Sequence, residues 1–194
     1  MAFILISGMT CSGKTTLEGE LVKNGFQKLI TSTTRDLRPN EENGVHYHFL
    51  NSDQFERELA SNNIIEHNTY NGHKYGISRK ELFKHVQSET DTVIVLDPSG
   101  VKKMQSYMSA NKIPHISVFI SADIGVVVSR LTDRLESNSL SKSEFISRVT
   151  NISLNEVNWY KDAMKSHTYD LIMESVDQDS VSFLLSHIKR TKFI

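Results

Sequence analysis

The sequence lacks the features that mark secreted and membrane-embedded proteins. Its 194 residues include a single cysteine, Cys11, so no disulfide can form within the chain. No apolar stretch is long enough to cross a bilayer. The N-terminus has neither the basic segment nor the apolar length of a signal peptide. We therefore expect a cytoplasmic protein with no membrane partner.

The chain also lacks an excess of charge of either sign. Its formal net charge is −1, so its composition gives no indication of a surface for nucleic acid or for a membrane. The eight histidines are scattered without the spacing of metal ligands. A hydrophobic content of 38% is ordinary for one globular domain of this length, without repeats or evident linkers. We expect a monomer or a weak homo-oligomer.

The most informative stretch runs from Gly8 to Thr15 and has the spacing G-x-x-x-x-G-K-[ST]. It follows an apolar run at residues 3–6 and precedes a helix-compatible segment at 15–24, which is the strand–loop–helix context that this pattern requires. Backbone N–H groups and a helix N-terminus would converge on phosphate there, and the alternative is a chance glycine-rich turn. The predicted nucleotide-binding residues are Gly8, Met9, Thr10, Cys11, Ser12, Gly13, Lys14, Thr15 and Thr16.

Short apolar segments alternate with segments of helical spacing along most of the chain. The predicted strands are residues 3–7, 29–32, 92–96, 115–120 and 170–174, and the predicted helices are 15–24, 100–111, 124–136, 143–166 and 179–189. Such alternation favours an α/β fold with a parallel sheet and helices on both faces.

The segment from Thr34 to about residue 75 breaks this alternation. It contains an alternating strand pattern at 45–50, a helical pattern at 52–61 and a hairpin signal at Asn71-Gly72 between residues 64–70 and 73–77. A capping-box pattern at Ser78 then predicts the start of another helix. We interpret the segment as an insertion that holds a second substrate beside the phosphate loop.

A second excursion lies in the later part of the chain. Arg130 and Arg134 are four residues apart on one predicted helix, a polar loop follows at 137–141, and Arg148 lies on a helix that opens with a capping box at Ser141. Two interpretations remain open. The segment is either a lid that closes over phosphates or a solvated helical hairpin whose arginines pair with Asp133, Glu136 and Glu144.

Residues 31–49 carry a resemblance to a known family. They contain a hydroxyl cluster, the spacing T-R-x-x-R, a glutamate, a glycine and then a tyrosine strand, which resembles the GMP-binding segment of guanylate kinases. Ile65-Glu66, the stretch 72–76 and Asp97 match further parts of the same pattern, and the resemblance covers essentially the whole chain. It implies a P-loop kinase with a parallel core (1–33, 78–124 and 167–194), an NMP-binding insertion (34–77) and a helical lid (about 125–166).

The resemblance implies ATP-dependent phosphoryl transfer to GMP, and to dGMP, with Mg²⁺ as cofactor. Arginine forks suit a monophosphate, and a carboxylate at Glu66 accepts both donors of the guanine pairing edge. The implied substrate-binding residues are Thr31, Arg35, Arg38, Tyr47, Glu66, Tyr75 and Asp97. The implied catalytic residues are Lys14, Arg38, Arg130, Arg134 and Arg148, and the implied metal-binding residues are Thr15 and Asp97.

The sequence departs from the family pattern at three places. Ile77 stands where a threonine or serine is expected to donate to guanine O6, and Ser78 or Thr31 would have to replace it. Pro98-Ser99 replaces an apolar residue and glutamine, and Met173-Glu174-Ser175 lacks the usual asparagine near adenine. Ile77 raises one rival function, an NMP kinase of altered base preference. Two relatives of the fold are further rivals: a ribose 1,5-bisphosphate phosphokinase and a non-catalytic peptide-binding module.

Overall fold

The computed structural model describes residues 1–39, 41–70, 72–137, 139–174 and 176–191. Within these ranges the strands are β1 (Phe3–Gly8), β2 (Gln27–Lys28), β3 (Ser32–Thr33), β4 (His48–Phe49), β5 (Ile64–Tyr70), β6 (His73–Ser78), β7 (Thr92–Val95), β8 (His115–Ile120) and β9 (Leu171–Met173). The helices are α1 (Lys14–Lys23), α2 (Ser52–Ala60), α3 (Arg79–Gln87), α4 (Pro98–Ala110), α5 (Ile124–Glu136), α6 (Lys142–Asn151), α7 (Val157–Ser166) and α8 (Gln178–Thr191). Three predictions involve residues outside these ranges: Asn71 of the hairpin turn, Asn138 of the polar loop and Ser175 near the adenine.

The main sheet is parallel throughout and has the strand order β2-β7-β1-β8-β9, which confirms the predicted α/β fold. Its central strand β1 is apolar because both of its faces are covered. Ile4 and Ile6 pack towards α1 and α8, whereas Phe3 and Leu5 pack towards α4. This two-sided core fixes the carboxyl end of β1, where the phosphate loop begins.

The predicted core strand at 29–32 is wrong. The edge of the main sheet is β2, and Ser32–Thr33 belongs to a second sheet with the order β4-β3-β6-β5. Leu29 is buried and its N–H donates to the Val93 carbonyl, so its apolar character reflects the core although the chain is leaving the main sheet there. The second sheet thus begins at Ser32, before the predicted boundary of the insertion at residue 34.

The second sheet is built on the predicted hairpin. β5 and β6 pair antiparallel, with their bounds at Ile64–Tyr70 and His73–Ser78. The predicted strand at 45–50 is shorter, since only His48–Phe49 pairs with β3. Helix α2 starts at a capping box between Asn51 and Gln54, and its Phe55 is fully buried.

The predicted single helix at 143–166 is interrupted. It starts as expected, with the Ser141–Glu144 capping box ahead of α6, but residues Ile152–Glu156 form a π-helical turn before α7 continues. A π turn is rare and recurs at functional sites. Here both of its end residues, Ile152 and Glu156, are buried. The turn therefore carries a charged side chain into the protein from a helix that is otherwise largely exposed.

Gly8 shapes the start of the phosphate loop. Its φ is 148°, and a Cβ at this position would overlap the backbone carbonyl of Ile120 in β8. The close approach of β1 and β8 at their carboxyl ends therefore requires glycine. Gly19, in the middle of α1, offers a matched comparison, because a Cβ there meets no atom of the described residues within 4 Å.

We expect Gly8→Ala to lower the free energy of unfolding by about 2 kcal/mol or more, since backbone strain and overlap with a carbonyl add together. Gly19→Ala should raise it by about 0.5–1 kcal/mol, because alanine restricts the unfolded chain and favours helix. Urea denaturation followed by circular dichroism measures both. Equal stability of Gly8→Ala and the wild type would contradict the close approach.

Candidate active site

A cavity of about 740 Å³ opens at the carboxyl edge of the main sheet. Besides the ends of the core strands, three parts of the chain line it: the phosphate loop (residues 8–16), the second sheet with the two arginines between β3 and β4, and the predicted lid segment, which contains α5, α6 and α7. Ligands of open α/β sheets bind at this edge, because the loops after parallel strands converge there. The position therefore agrees with the phosphate site that the loop predicts.

The structure gathers the predicted site residues around this one cavity, with a single exception. Those that line it are Gly8, Thr10, Cys11, Ser12, Gly13, Lys14, Thr15, Thr16, Thr31, Arg35, Arg38, Tyr47, Glu66, Tyr75, Asp97, Arg130, Arg134 and Arg148. Met9 is the exception: its side chain is buried against Val127 and Leu131. It contributes its backbone carbonyl, which accepts a hydrogen bond from Lys14 Nζ at 2.6 Å.

The N-terminus of α1 is built to receive an anion. Gly13, at φ 108°, precedes the helix and has no side chain to cap it. Each of the helices α2 to α6, by contrast, begins at a residue whose side chain accepts a hydrogen bond from the first turn. The first N–H groups of α1 and its dipole therefore point at the cavity without an internal acceptor. The amine of Lys14 folds over the loop and donates to the carbonyls of Gly8 (2.8 Å) and Met9.

The Lys14 ammonium is held in an unfavourable environment. Its pKa is lowered to about 8, chiefly because burial removes the amine from bulk water. Repulsion from Arg148 and Arg134 contributes to the lowering, whereas attraction to Glu156 and Cys11 opposes it. Arg148 is affected in the same way, because burial and the neighbouring Arg38 lower the pKa of its guanidinium. Bound phosphate would relieve this repulsion, since an anion stabilises the charged form of each group.

Both arginines of the T-R-x-x-R motif are held by carboxylates. Arg35 is buried, donates to both oxygens of Glu41 at 2.8 and 2.9 Å, and stacks over the rings of Tyr47 and Phe49. Arg38 donates across the cleft to Glu144 of α6 at 2.9 Å. The paired forks are thus preorganised, with an anionic group already on each of them.

Glu66 lies on β5 and lines the cavity. Its side chain is 4% exposed, and Lys103 of α4 is 3.5 Å away. Burial raises the pKa of this carboxyl to about 7, with Lys103 opposing the shift and Asp97 adding to it. Asp97 caps α4 through the Gly100 N–H at 2.9 Å and accepts a hydrogen bond from Asn68 at 2.8 Å.

The arginines of the predicted lid line the cavity and do not pair with the described carboxylates of their own segment. Arg130 donates to the carbonyl of Cys11 in the phosphate loop at 2.8 Å, and Arg134 and Arg148 line the cavity. Of the three carboxylates in the hairpin interpretation, only Glu144 has an arginine partner among the described residues, and that partner is Arg38 of the insertion. The geometry therefore favours the lid interpretation.

The residues at the cavity that the sequence analysis did not single out include Asn68, Tyr70, Glu156 and Trp159. Asn68, Tyr70 and Trp159 line the cavity, and Glu156 lies behind the phosphate loop, where it accepts hydrogen bonds from Thr10 and Tyr70. The alternation of the strand at 64–70 places Glu66, Asn68 and Tyr70 on one face, which is a signal that could have found two of them. No signal in the sequence marks Glu156, since the π turn that orients it was not predicted.

Two further features concern metals and membranes. In the described part of the chain no three His, Cys, Asp or Glu side chains are grouped as metal ligands, and no helix is both long and apolar enough to span a membrane.

Comparison with known proteins places the chain in a family. The family model for guanylate kinase matches residues 1–191. The chain belongs to the guanylate kinase family. It is therefore a kinase, a nucleotide-binding phosphotransferase.

Two curated guanylate kinases show the extent of the similarity. The enzyme of Bartonella henselae is 30% identical over 184 residues, covering 94% of this chain and 78% of that protein. The enzyme of Hydrogenovibrio crunogenus is 29% identical over 160 residues, covering 81% and 75%. The crystal structure of guanylate kinase from Anaplasma phagocytophilum superposes with a TM-score of 0.65 at 24% identity, over 98% of this chain and 85% of that one, and shows the shared fold.

We expect the affinity for ATP to fall as the pH rises through about 8, because Lys14 loses its proton near that pH and a neutral amine attracts phosphate weakly. Calorimetric titration across this range measures the effect. Lys14→Met is the control, because it removes the amine and keeps Cys11, an electrostatic neighbour of Lys14. It should bind ATP weakly at every pH, so its affinity should not decline as the pH rises. Wild-type affinity that stays constant well above pH 8 would contradict the low pKa.

Proposed function

We propose that the protein transfers the γ-phosphoryl group of ATP to GMP, giving ADP and GDP, and that it also accepts dGMP. The observation that carries the proposal is that one cavity is lined both by a phosphate loop and by an arginine, tyrosine and glutamate set suited to a guanine monophosphate. A site for ATP hydrolysis alone would have no use for the second set. As an enzyme of free nucleotides, it acts in the cytoplasm, as a monomer or a weak homo-oligomer.

The donor nucleotide is assigned to the phosphate loop. Its phosphates lie against the uncapped N-terminus of α1, and Lys14 exchanges its two carbonyl partners for phosphate oxygens. Arg130 and Arg134 approach the same phosphates from α5. We assign the adenine to the part of the cavity that Ala122, Val126 and Asp177 line.

The residues present fit a magnesium ion that arrives with the nucleotide. Mg²⁺ is commonly held by one or two protein ligands together with phosphate oxygens and waters, so a group of three acidic side chains is not needed. The hydroxyl of Thr15 stands at the first turn of α1, and the carboxylate of Asp97 lines the same cavity. When bound, the ion neutralises charge on the transferring phosphoryl group.

The acceptor is assigned to the second sheet. The forks of Arg35 and Arg38 bind its phosphate with the hydroxyls of Tyr47 and Tyr75, which line the cavity beside them. Burial and the neighbouring Tyr75 raise the pKa of Tyr47 to about 12, so this phenol remains a neutral donor. Glu66 then accepts the N1–H and the N2 amine of guanine.

Ile77 does not weaken the guanine assignment. Its side chain is fully buried in the core cluster with Leu29 and Leu82, whereas the neighbouring Gly76 lines the cavity. Ser78 is engaged as the cap of α3, which leaves Thr31, whose side chain borders the cavity, as the donor to guanine O6. We therefore propose that guanine remains the preferred base despite the isoleucine.

The reaction needs positioning and charge neutralisation rather than a general base. An oxygen of the acceptor phosphate is already anionic and attacks the γ-phosphorus in line, while the bond to the ADP oxygen breaks. Lys14 and the lid arginines Arg134 and Arg148 stabilise the charge on the transferring group, and Arg38 approaches from the acceptor side. Closure of the lid excludes water, which would otherwise compete as acceptor.

A coupled ADP-release assay with GMP, dGMP, AMP, CMP, UMP and dTMP tests the proposal. We expect GMP and dGMP to be used with kcat/KM at least about a hundredfold above AMP, because a site built for hydrogen bonding to one base edge leaves groups unpaired with another. Turnover with none of the six would overturn the proposal. Turnover with AMP or a pyrimidine above that with GMP would overturn the role of Glu66.

Ile77→Thr refines the same assay. We expect no improvement in KM for GMP, because the hydroxyl would enter the core rather than the cavity. Thr31→Val is the matched variant and should raise the KM for GMP by about fivefold or more, as an unpaired O6 acceptor requires. An improved KM with Ile77→Thr and an unchanged KM with Thr31→Val would contradict this and show that residue 77 contacts guanine O6.

We expect GMP affinity to fall as the pH drops through about 7, because the raised pKa of Glu66 leaves its carboxyl protonated below that pH and a protonated oxygen cannot accept from guanine N1–H. Once well below the pKa, affinity should fall about tenfold per pH unit. The phosphate of GMP itself titrates at about pH 6 and would also change the affinity. Glu66→Gln is therefore measured in parallel, because it keeps the phosphate titration and removes that of Glu66. Identical pH dependence in both proteins would contradict the assignment.

A further inference from the structure

The Glu156 carboxylate lies fully buried behind the phosphate loop, at the end of the π turn. Its Oε2 accepts from the backbone N–H of Thr10 at 2.5 Å. Its Oε1 accepts from the hydroxyl of Thr10 at 2.8 Å, the phenol of Tyr70 at 2.6 Å and the amide of Asn151 at 2.8 Å. One side chain thus receives four hydrogen bonds.

These hydrogen bonds join the three parts of the chain that build the cavity. Thr10 belongs to the phosphate loop, Tyr70 ends β5 of the second sheet, and Asn151 ends the lid helix α6. The contacts span 146 residues of sequence from Thr10 and 86 from Tyr70. Glu156 is thus bonded to all three parts at once.

Glu156 is not part of an ion pair with any described residue, and its neighbours explain how it is tolerated. A buried carboxylate is costly unless donors replace its water, and here hydroxyl, amide and backbone donors do so. Burial and the adjacent carboxylate raise the pKa of the Tyr70 phenol, so Tyr70 keeps the proton that it donates. An apolar side chain would fill the same space without this cost, which indicates that the arrangement serves more than packing.

We propose that Glu156 is a positioning residue that holds the lid helix against the phosphate loop and the second sheet, so that Arg148 and Lys14 face the transferring phosphoryl group. Arg148 lies on the same helical run, eight residues before Glu156, and lines the cavity. Anchoring the end of this run therefore fixes the direction of Arg148. The inference rests on the proposed phosphoryl transfer, and it assigns Glu156 no contact with either substrate.

Glu156→Gln is the primary test. An amide cannot accept from the Thr10 N–H and from the three donors on Oε1 together, because one end of it is itself a donor. We expect kcat to fall about tenfold or more while KM for GMP changes less than about threefold, since the loss falls on transition-state positioning rather than on acceptor binding. Glu136→Gln, at the exposed end of α5, makes the same change of charge and should leave both constants unchanged.

Trp159 provides a readout that does not require turnover. It is the only tryptophan of the chain, lines the cavity, and lies 6.2 Å from the ring of Tyr70 between centroids. We expect Glu156→Gln to increase acrylamide quenching of Trp159 in the nucleotide-free protein. Without the anchor at Glu156, helix α7, which carries Trp159, separates from the phosphate loop and exposes the indole. Glu136→Gln should match the wild type.

Tyr70→Phe guards against a variant that fails to fold, since it removes one donor and leaves the carboxylate and the Trp159 contact in place. We expect a fall in kcat of about threefold to fivefold, which should disappear when Tyr70→Phe is made in the Glu156→Gln background. Additive effects of the two substitutions would show that Tyr70 does not act through Glu156 and would overturn the proposal. So would a kcat of Glu156→Gln within about threefold of the wild type.

The two proposals fail in different ways. A wild-type protein that turns over none of the monophosphates would overturn the phosphoryl transfer, while the quenching of Trp159 would still report whether Glu156 anchors the lid. A wild-type protein that turns over GMP, with unchanged kcat and quenching in Glu156→Gln, would overturn only the role of Glu156.

Discussion

The central physical constraint of the structure is a cluster of cationic side chains around a cavity that is partly shielded from water. Lys14 and Arg148 both have pKa values below their ordinary range because desolvation and neighbouring cations oppose their charge. Such an arrangement is unfavourable in the empty protein and becomes favourable when polyanionic phosphate enters. We propose that binding affinity and catalytic stabilisation both come from this electrostatic imbalance.

The carboxylates around the cavity make this imbalance tolerable before substrate binds. Glu41 holds Arg35, Glu144 holds Arg38, and Glu156 lies within electrostatic reach of Lys14. Two of them differ in what we propose that substrate does. Phosphate replaces Glu144 on Arg38, because that pair spans the cleft and is partly exposed, whereas Glu156 stays behind the loop and remains bonded to the backbone.

Much of the site could be predicted because its signals are local. The phosphate loop is set by a spacing of eight residues, the buried central strand by a run of apolar side chains, and the lid by arginines one helical turn apart. The acceptor residues were found through the family resemblance, and the structure brings them to the same cavity. The roles given to them are proposals that rest on this convergence.

The predictions that failed depend on tertiary context. Leu29 is apolar because it packs in the core, and nothing local indicates that the chain leaves the main sheet before Ser32. Residues 152–156 carry no residue that breaks a helix, yet they adopt a π turn in which Glu156 meets donors from two distant segments. Pairings of that kind are fixed by the whole fold rather than by sequence spacing.

We propose that one cavity holds both substrates at once, with their phosphates meeting between Lys14 and Arg38. Calorimetric titration with a bisubstrate ligand, adenosine and guanosine joined through five phosphates, tests it most directly. We expect a single site per chain, and binding that is competitive with ATP and with GMP and tighter than either nucleotide alone, since the two halves bind as one ligand. Binding no tighter than ATP, or displacement by only one of the two nucleotides, would contradict it.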